Sequence, residues 1–318
     1  IVRYHDVAQQ LVRREHTARR MFEGMFRFAL GLAKKVLIAN PLAIIADGAF
    51  DVPKLQYLHA GTAWIGLFAY AGQIYFDFSG YSDMAIGLGR LFGFEFLENF
   101  NRPYTARSFT EFWRRWHISL SNFMREYLYI PLGGNRVGRV RAYVNLWLVF
   151  TISGFWHGAR WNFLIWGCFH GLFLTLDKAL GARRLDRVPG VLAIPVTFLL
   201  VCLSWVFFRA ESLTAAGHYF AGLLGHYGAF AWPDWIQPRD ALILALTPIL
   251  IWGPMLWDRW IRRGRMGLVP SLSTPAADTP APPARIEMLR LVLILGFLVL
   301  SLASLTTGHF NPFIYFQF

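Results

Sequence analysis

The chain has 318 residues, of which 55% are hydrophobic and only 16% charged, and it carries a formal net charge of +12. With a mean hydropathy of +0.38, this composition excludes an ordinary soluble domain, in which about 25% of residues are charged, and points to a multi-pass membrane protein. Nucleic acid is excluded as the reason for the basic excess: the charge falls in short clusters between apolar runs, such as Arg13-Arg14, Arg19-Arg20, Lys34-Lys35 and Arg183-Arg184, the pattern of loops held on the cytoplasmic side of a membrane.

Residues 1–35 hold eight Lys or Arg against three Asp or Glu and are expected to be a cytoplasmic loop feeding a helix. That helix runs from Met21 through Phe28, Leu32 and Val36 to about Ile38, with Asn40-Pro41 as its break and residues 47–54 as a turn. The sequence begins at Ile1 rather than Met and is expected to lack helices upstream. Uncharged runs at 55–76, 142–156, 161–176, 188–208, 241–257 and from 291 onward reach or approach the roughly 20 residues a spanning helix needs. Cys168 and Cys202 each lie inside such a run, so neither a disulfide framework nor a zinc ribbon is available.

After the 55–76 run come Asp77 and Asp83, six residues apart among Ser79, Tyr81 and Ser82. Two readings are open. Ser79 or Ser82 caps a new helix with Asp83 favouring its dipole, or the acidic pair lies at membrane depth to orient a partner histidine or arginine, because unpaired charge there is costly.

Residues 102–141 hold eight Lys or Arg against two Asp or Glu and no run long enough to span, which predicts helices lying at the interface. Placed on one helix, Phe109, Phe112, Trp113, Trp116, Leu120 and Phe123 share a face. His117 sits at its edge, beside a border of Arg114, Ser121 and Arg125. Such a helix is either a surface anchor, with Trp at headgroup depth and Arg reaching water or phosphate, or a wall on which chemistry takes place. Residues 129–136 read as an irregular loop, which membrane depth tolerates only beside protein or a wet cavity.

Between Ala142 and Leu176 the one charged residue is Arg160, accompanied by His157 and His170. His157 stands among Gly154, Trp156 and Gly158, which predicts a narrow opening around it. His170 lacks that setting and reads first as a packing residue. Three further apolar helices are expected, with residues 271–283 as a flexible loop between the last two and the aromatic end 311–318 packed on the body.

Five motifs occur in order: Tyr75-Phe76-Asp77-Phe78-Ser79-Gly80-Tyr81-Ser82-Asp83-Met84, then Glu98-Asn99-Phe100-Asn101-Arg102-Pro103-Tyr104, Phe112-Trp113-Arg114-Arg115-Trp116-His117-Ile118-Ser119-Leu120, Tyr129-Ile130-Pro131-Leu132-Gly133-Gly134-Asn135 and Ser153-Gly154-Phe155-Trp156-His157-Gly158. Together they resemble the membrane-bound O-acyltransferase family, in its alginate O-acetylation branch. The D-alanylation branch is similar at residues 113–120 but less so at 131–135.

The resemblance implies an all-α polytopic membrane protein, a helical bundle with a central funnel or tunnel and interfacial helices. Residues 1–318 would form one membrane-embedded domain, N-terminally incomplete, with its catalytic motifs in 75–158. It also implies a bacterial inner-membrane enzyme that passes an acetyl group from a cytoplasmic thioester donor to an alginate-like exopolysaccharide, directly or through partner proteins in the periplasm. The family's invariant histidine falls on His157 and its second on His117.

Acyl transfer to a hydroxyl needs a base and a stabilised oxyanion, and histidine suits the first role. His157 is the expected base, with His117 positioning the donor or assisting proton transfer. Arg114 and Arg115 are expected to attract the phosphates of an acetyl-coenzyme A donor, with Trp116, Ser121, Asp77 and Asp83 as further binding or positioning residues. No tightly bound cofactor and no metal are expected, and no serine stands in a nucleophile elbow. Transfer of D-alanyl or another acyl group is an alternative. So are a transporter with Asp77 and Asp83 as coupling sites and a non-catalytic scaffold of a polysaccharide export complex.

Overall fold

The computed structural model describes residues 1–229, 233, 235–263, 284–307 and 313, and every regular element among them is helical. Helix α1 (Tyr4–Val12) precedes a long helix α2 (Ala18–Ala49), whose first turn is capped by Thr17 Oγ1 accepting the Arg20 N–H at 3.2 Å. The break expected at Asn40-Pro41 does not occur. Proline removes a hydrogen bond and presses on the preceding turn of a regular α-helix. Here Lys34–Ala39 widens to a π-helical turn, in which the Asn40 N–H reaches back to the Lys35 carbonyl. Pro41 then enters in the first turn of the next α-helical stretch, and the helix continues.

Helix α3 (Ala60–Leu91) lies against α2 with the two backbones in contact. A Cβ on Gly31 would sit 2.5 Å from the Gly80 carbonyl oxygen, and one on Gly87 would sit 2.7 Å from that of Gly24. This is small-residue packing, which lets helices approach without bulk between them. Because α3 runs unbroken through Ser79, Ser82 and Asp83, none of the three marks a helix start, and the capping account of this stretch is wrong. Asp83 instead accepts from Arg27 Nε at 2.8 Å and from Lys34 Nζ at 2.6 Å. Arg27 Nη2 also reaches Glu98 at 2.6 Å, and Asp77 pairs with Lys35. Both acids are buried, and pairing is what makes their burial tolerable.

After α3 the chain forms two short helices, α4 (Phe109–Trp113) and α5 (Ile118–Met124). A close hairpin follows, α6 (Arg139–His157) and α7 (Trp161–Leu180), then α8 (Gly190–Arg209), α9 (Leu213–Leu223), α10 (Pro238–Arg263) and α11 (Ala284–Thr307). Among the described residues, five stretches are long and apolar enough to cross a membrane: Ala18–Ala49, Trp161–Leu180, Gly190–Arg209, Pro238–Leu256 and Arg285–Thr306. Of the expected span at 55–76, residues 60–76 lie in α3, while Val52–Tyr57 forms a separate 3-10 turn; the expected span at 142–156 lies within α6, and neither α3 nor α6 is among these five. Residues 271–283 lie outside the described residues. Of the 311–318 end, Phe313 alone is described; its ring lies 5.4 Å from that of Tyr81 and 4.9 Å from Lys35 Nζ.

Tyr104, Phe112, Trp116, Trp166 and Trp205, all nearly fully buried, form an aromatic core where α3, α4, α7 and α8 meet. The chemistry-bearing residues stand on the edge of this core.

Candidate active site

The single helix expected over residues 109–123 is interrupted. Ser108 caps α4, its Oγ accepting the Glu111 N–H at 3.2 Å, but the helix ends at Trp113, and His117 takes a left-handed conformation with φ 44° and ψ 54°. For a residue with a Cβ this costs on the order of 1–3 kcal/mol and persists only where the surroundings impose it. Residues 99–101 impose it here. The Asn101 N–H donates to the Arg115 carbonyl at 2.9 Å and the Ile118 N–H to the Asn99 carbonyl at 3.0 Å.

The Asn99 side chain completes the restraint. Its Oδ1 accepts the Ser119 N–H at 3.1 Å and the Ser119 hydroxyl at 3.0 Å, and stands 3.2 Å from His117 Nδ1. A backbone N–H can only donate, so the Asn99 atom facing it is the carbonyl oxygen, and His117 Nδ1 must carry the proton toward it. Nε2 is then the basic nitrogen of His117. The Phe78 ring meets the imidazole edge-on at 4.7 Å, and burial pushes the His117 pKa well below the usual histidine value.

His157 ends α6, where Gly154 lets the hairpin close. A Cβ there would sit 2.4 Å from the Phe163 carbonyl oxygen, and one on Gly158 would sit 2.6 Å from the Phe163 ring. The glycines expected to open a space around His157 are therefore filled by α7. The imidazole is packed edge-on against Trp166 and Phe208, each at 5.2 Å.

His117 and His157 nevertheless line one cavity, of about 10 Å³, together with Trp113, Trp116, Leu120 and Trp166. That is on the order of the space one water molecule requires. Trp166 contributes a buried indole N–H with no hydrogen-bond partner among the described residues. A buried donor without an acceptor is costly unless a ligand uses it.

Trp113 and Leu120 also form a wall of a second cavity, of about 400 Å³, within the usual size of small-molecule sites. Arg114, Ser121, Asn122, Arg125 and Asn135 supply its polar groups, and Leu146, Val149 and Phe150 its apolar wall. The irregular 129–136 loop borders this groove as expected, its polar groups met by protein. Asn145 Nδ2 donates to the Leu132 carbonyl at 2.9 Å, and Lys178 Nζ donates to Asn135 Oδ1 at 2.9 Å.

The residues singled out in the sequence therefore fall into three groups. His117, His157 and Trp116 line the small cavity, while Arg114 and Ser121 line the large one. The others lie elsewhere: Arg115 turns to Glu111 and to Thr105 Oγ1, the latter at 2.7 Å, and Asp77 and Asp83 face the lysines and arginine of α2. Asn99 and Trp166 have no expected role in the sequence reading. Asn99 stands in one of the five motifs, but its bond to His117 spans 18 residues, and no local pattern carries it.

Residues 1–210 match the membrane-bound O-acyltransferase family. The chain is 40% identical to a Pseudomonas syringae pv. tomato protein described as "Probable alginate O-acetylase AlgI", over the whole of this chain and 68% of that protein. It is 50% identical to a Helicobacter pylori "Peptidoglycan O-acetyltransferase" over 64% of this chain and 39% of that one. A Bacillus subtilis "Teichoic acid D-alanyltransferase" is 26% identical over 62% of this chain and 53% of its own length.

Proposed function

Since the chain belongs to the membrane-bound O-acyltransferase family and is a membrane-embedded O-acyltransferase, we propose that it transfers an acetyl group from a thioester donor to a hydroxyl of a cell-envelope polysaccharide. The observation that carries this reading is that His117 and His157, from motifs 40 positions apart, line the same water-sized cavity. Two neutral imidazoles facing one small space suit proton transfer to and from an oxygen nucleophile.

In the reaction, the acceptor hydroxyl oxygen attacks the thioester carbonyl carbon as His157 takes the hydroxyl proton. The carbonyl oxygen becomes an oxyanion, which the unpaired Trp166 N–H is available to stabilise. Collapse re-forms the carbonyl and breaks the carbon–sulfur bond, and the thiolate leaves with the proton returned by His157. The groove beyond Trp113, with Arg114 and Arg125 at its polar side, suits the phosphates of acetyl-coenzyme A, since guanidinium groups pair well with phosphate oxygens.

The relatives named for alginate and peptidoglycan O-acetylation support acetyl as the group and a polysaccharide as the acceptor. The alginate-named relatives, matched along the whole chain, favour an exopolysaccharide over peptidoglycan. The enzyme sits in the bacterial inner membrane and works with periplasmic partners that complete or relay the transfer. Its test is restoration of the full-length protein to a strain lacking it. Wild type restores polymer acetylation, and His157→Ala, at matched membrane abundance, loses a factor of about 10² to 10⁴ in transfer. Polymer fully acetylated in the deletion strain would overturn the reading.

A second reading, in which His117 is the base, is favoured by its fixed tautomer, because Asn99 leaves Nε2 unprotonated. The two readings part on donor binding and rate in the His117→Ala and His157→Ala proteins. The base variant loses kcat with donor affinity kept, whereas the positioning variant raises the donor KM as well.

A further inference from the structure

His170 is fully buried and lines neither cavity, yet its hydrogen bonds run in one determined direction. Trp113 Nε1 lies 3.1 Å from His170 Nδ1; an indole N–H only donates, so Nδ1 accepts and the imidazole proton is on Nε2. Nε2 in turn lies 3.0 Å from Ser204 Oγ, and the Ser204 hydroxyl donates to the Val201 carbonyl at 2.6 Å. The Ser204 proton is thus committed to α8, and its lone pair receives the proton of His170. Trp113, His170, Ser204 and Val201 form a chain with every donor and acceptor assigned, anchored on backbone at one end and on the Trp113 indole at the other.

That indole is the side chain common, with Leu120, to the two cavities. On one side lies a groove of about 400 Å³ and on the other a space of about 10 Å³ between His117 and His157. Phe150 and Trp166 pack against Trp113 edge-on at 5.2 and 5.8 Å, contacts that hold the ring by shape alone. The bond to His170 adds a directional restraint on the indole.

We propose that His170 is a positioning residue: by holding Trp113 as the partition between groove and histidine cavity, it restricts the acyl group delivered to His117 and His157 to the size of acetyl. The inference rests on the acyl-transfer reading above. A partition of this kind acts by exclusion, so releasing the indole enlarges the space and admits longer chains, while acetyl still enters. One methylene in a close-fitting pocket is worth roughly 10- to 200-fold in discrimination, so two methylenes give a wide range in which a loss is readable.

The test uses the full-length protein in membrane vesicles, with thiol release from acetyl- and butyryl-coenzyme A measured in the presence of polymer acceptor. Wild type favours acetyl. In His170→Leu, which removes both bonds, and in Trp113→Phe, which removes the indole N–H, the acetyl-to-butyryl ratio of kcat/KM falls by about tenfold or more. The double variant falls no further than the lower of the two single variants, because both changes break the same Trp113–His170 bond. His170→Gln, which keeps an acceptor oxygen and an N–H donor, lies nearer wild type. An unchanged ratio in well-inserted His170→Leu overturns the proposal, as do effects that multiply in the double variant. Should His170→Leu fail to accumulate, Trp113→Phe and Ser204→Ala decide it, with unchanged ratios in both overturning it. Wild-type protein that releases thiol from neither donor overturns the acyl-transfer reading and this inference together; wild-type acetyl transfer with unshifted variants overturns the inference alone.

Discussion

Asn99 holds His117 in a conformation and a tautomer that the His117 segment would not adopt by itself. Its Oδ1 meets His117 Nδ1 at 3.2 Å and the Ser119 N–H at 3.1 Å, across the left-handed turn at φ 44°. Replacing Asn99 by Ala removes the acceptor and frees the ring to rotate and change tautomer. Transfer is expected to fall about 10²-fold, the scale of a misplacement of about 1 Å. Steady-state acetyl transfer at matched abundance measures it, and wild-type rates in Asn99→Ala would deny Asn99 this role.

Arg114 and Arg115 are adjacent in sequence and separate in function. Arg114 borders the large groove, whereas Arg115 is engaged by Glu111 and Thr105. Arg114→Ala is expected to raise the KM for acetyl-coenzyme A about tenfold, in line with the loss of one charge-assisted contact. Arg115→Ala leaves that KM near wild type and lowers thermal stability instead. Equal KM values in the two variants would contradict this division.

Burial lowers the His117 pKa below its ordinary value of 6.5, so the ring is neutral at neutral pH. The unfolded chain binds a proton below 6.5 more readily than the folded one. The stability due to neutral His117 is therefore complete above that pH and is lost as pH falls through the depressed folded value. In the reading with His117 as base, the acid limb of kcat/KM is expected to lie below 6.5 in a profile over about pH 5 to 8. A limb at or above 6.5 would mean that the ring titrates as if exposed.

Asp83 holds both Arg27 and Lys34 with its side chain 5% exposed, while Asp47 pairs with Arg209 at 53% exposure. Asp83→Asn leaves Lys34 without its counter-charge and Arg27 with Glu98 alone, and is expected to destabilise by about 3 kcal/mol. Asp47→Asn is expected to cost less than about 1 kcal/mol. Thermal unfolding in detergent compares them, and a similar midpoint for both would deny the Asp83 pairs a part in joining α2 to α3.

Gly31 and Gly217 separate close packing from helix propensity. Gly31→Ala forces a methyl within 2.5 Å of the Gly80 carbonyl and is expected to cost about 1–3 kcal/mol. Gly217, inside α9, has nothing within 4 Å of a built Cβ, so Gly217→Ala is expected to stabilise by roughly 0.5–1 kcal/mol. The same melting series tests both, with opposite signs expected.

The sequence by itself determined what depends on local chemistry. Low charge and long apolar runs specify membrane helices, because a spanning segment must satisfy its backbone internally and its side chains in lipid. Ordered motifs bring His117 and His157 forward as the chemical groups. What the tertiary structure decided rests on contacts between segments far apart in the chain. The helix expected over 109–123 ends at Trp113 because Asn99 and Asn101 draw the following turn to themselves. The helix expected to stop at Pro41 continues because a π-helical turn absorbs the ring. Asp77 and Asp83 face α2 because glycines at 24, 31, 80 and 87 bring the backbones together. His170, a packing residue by its apolar neighbours, is tied to Trp113 by a bond across 57 positions. Periodicity records which face of a helix is apolar, whereas the partner of a buried polar atom is chosen only when the helices meet.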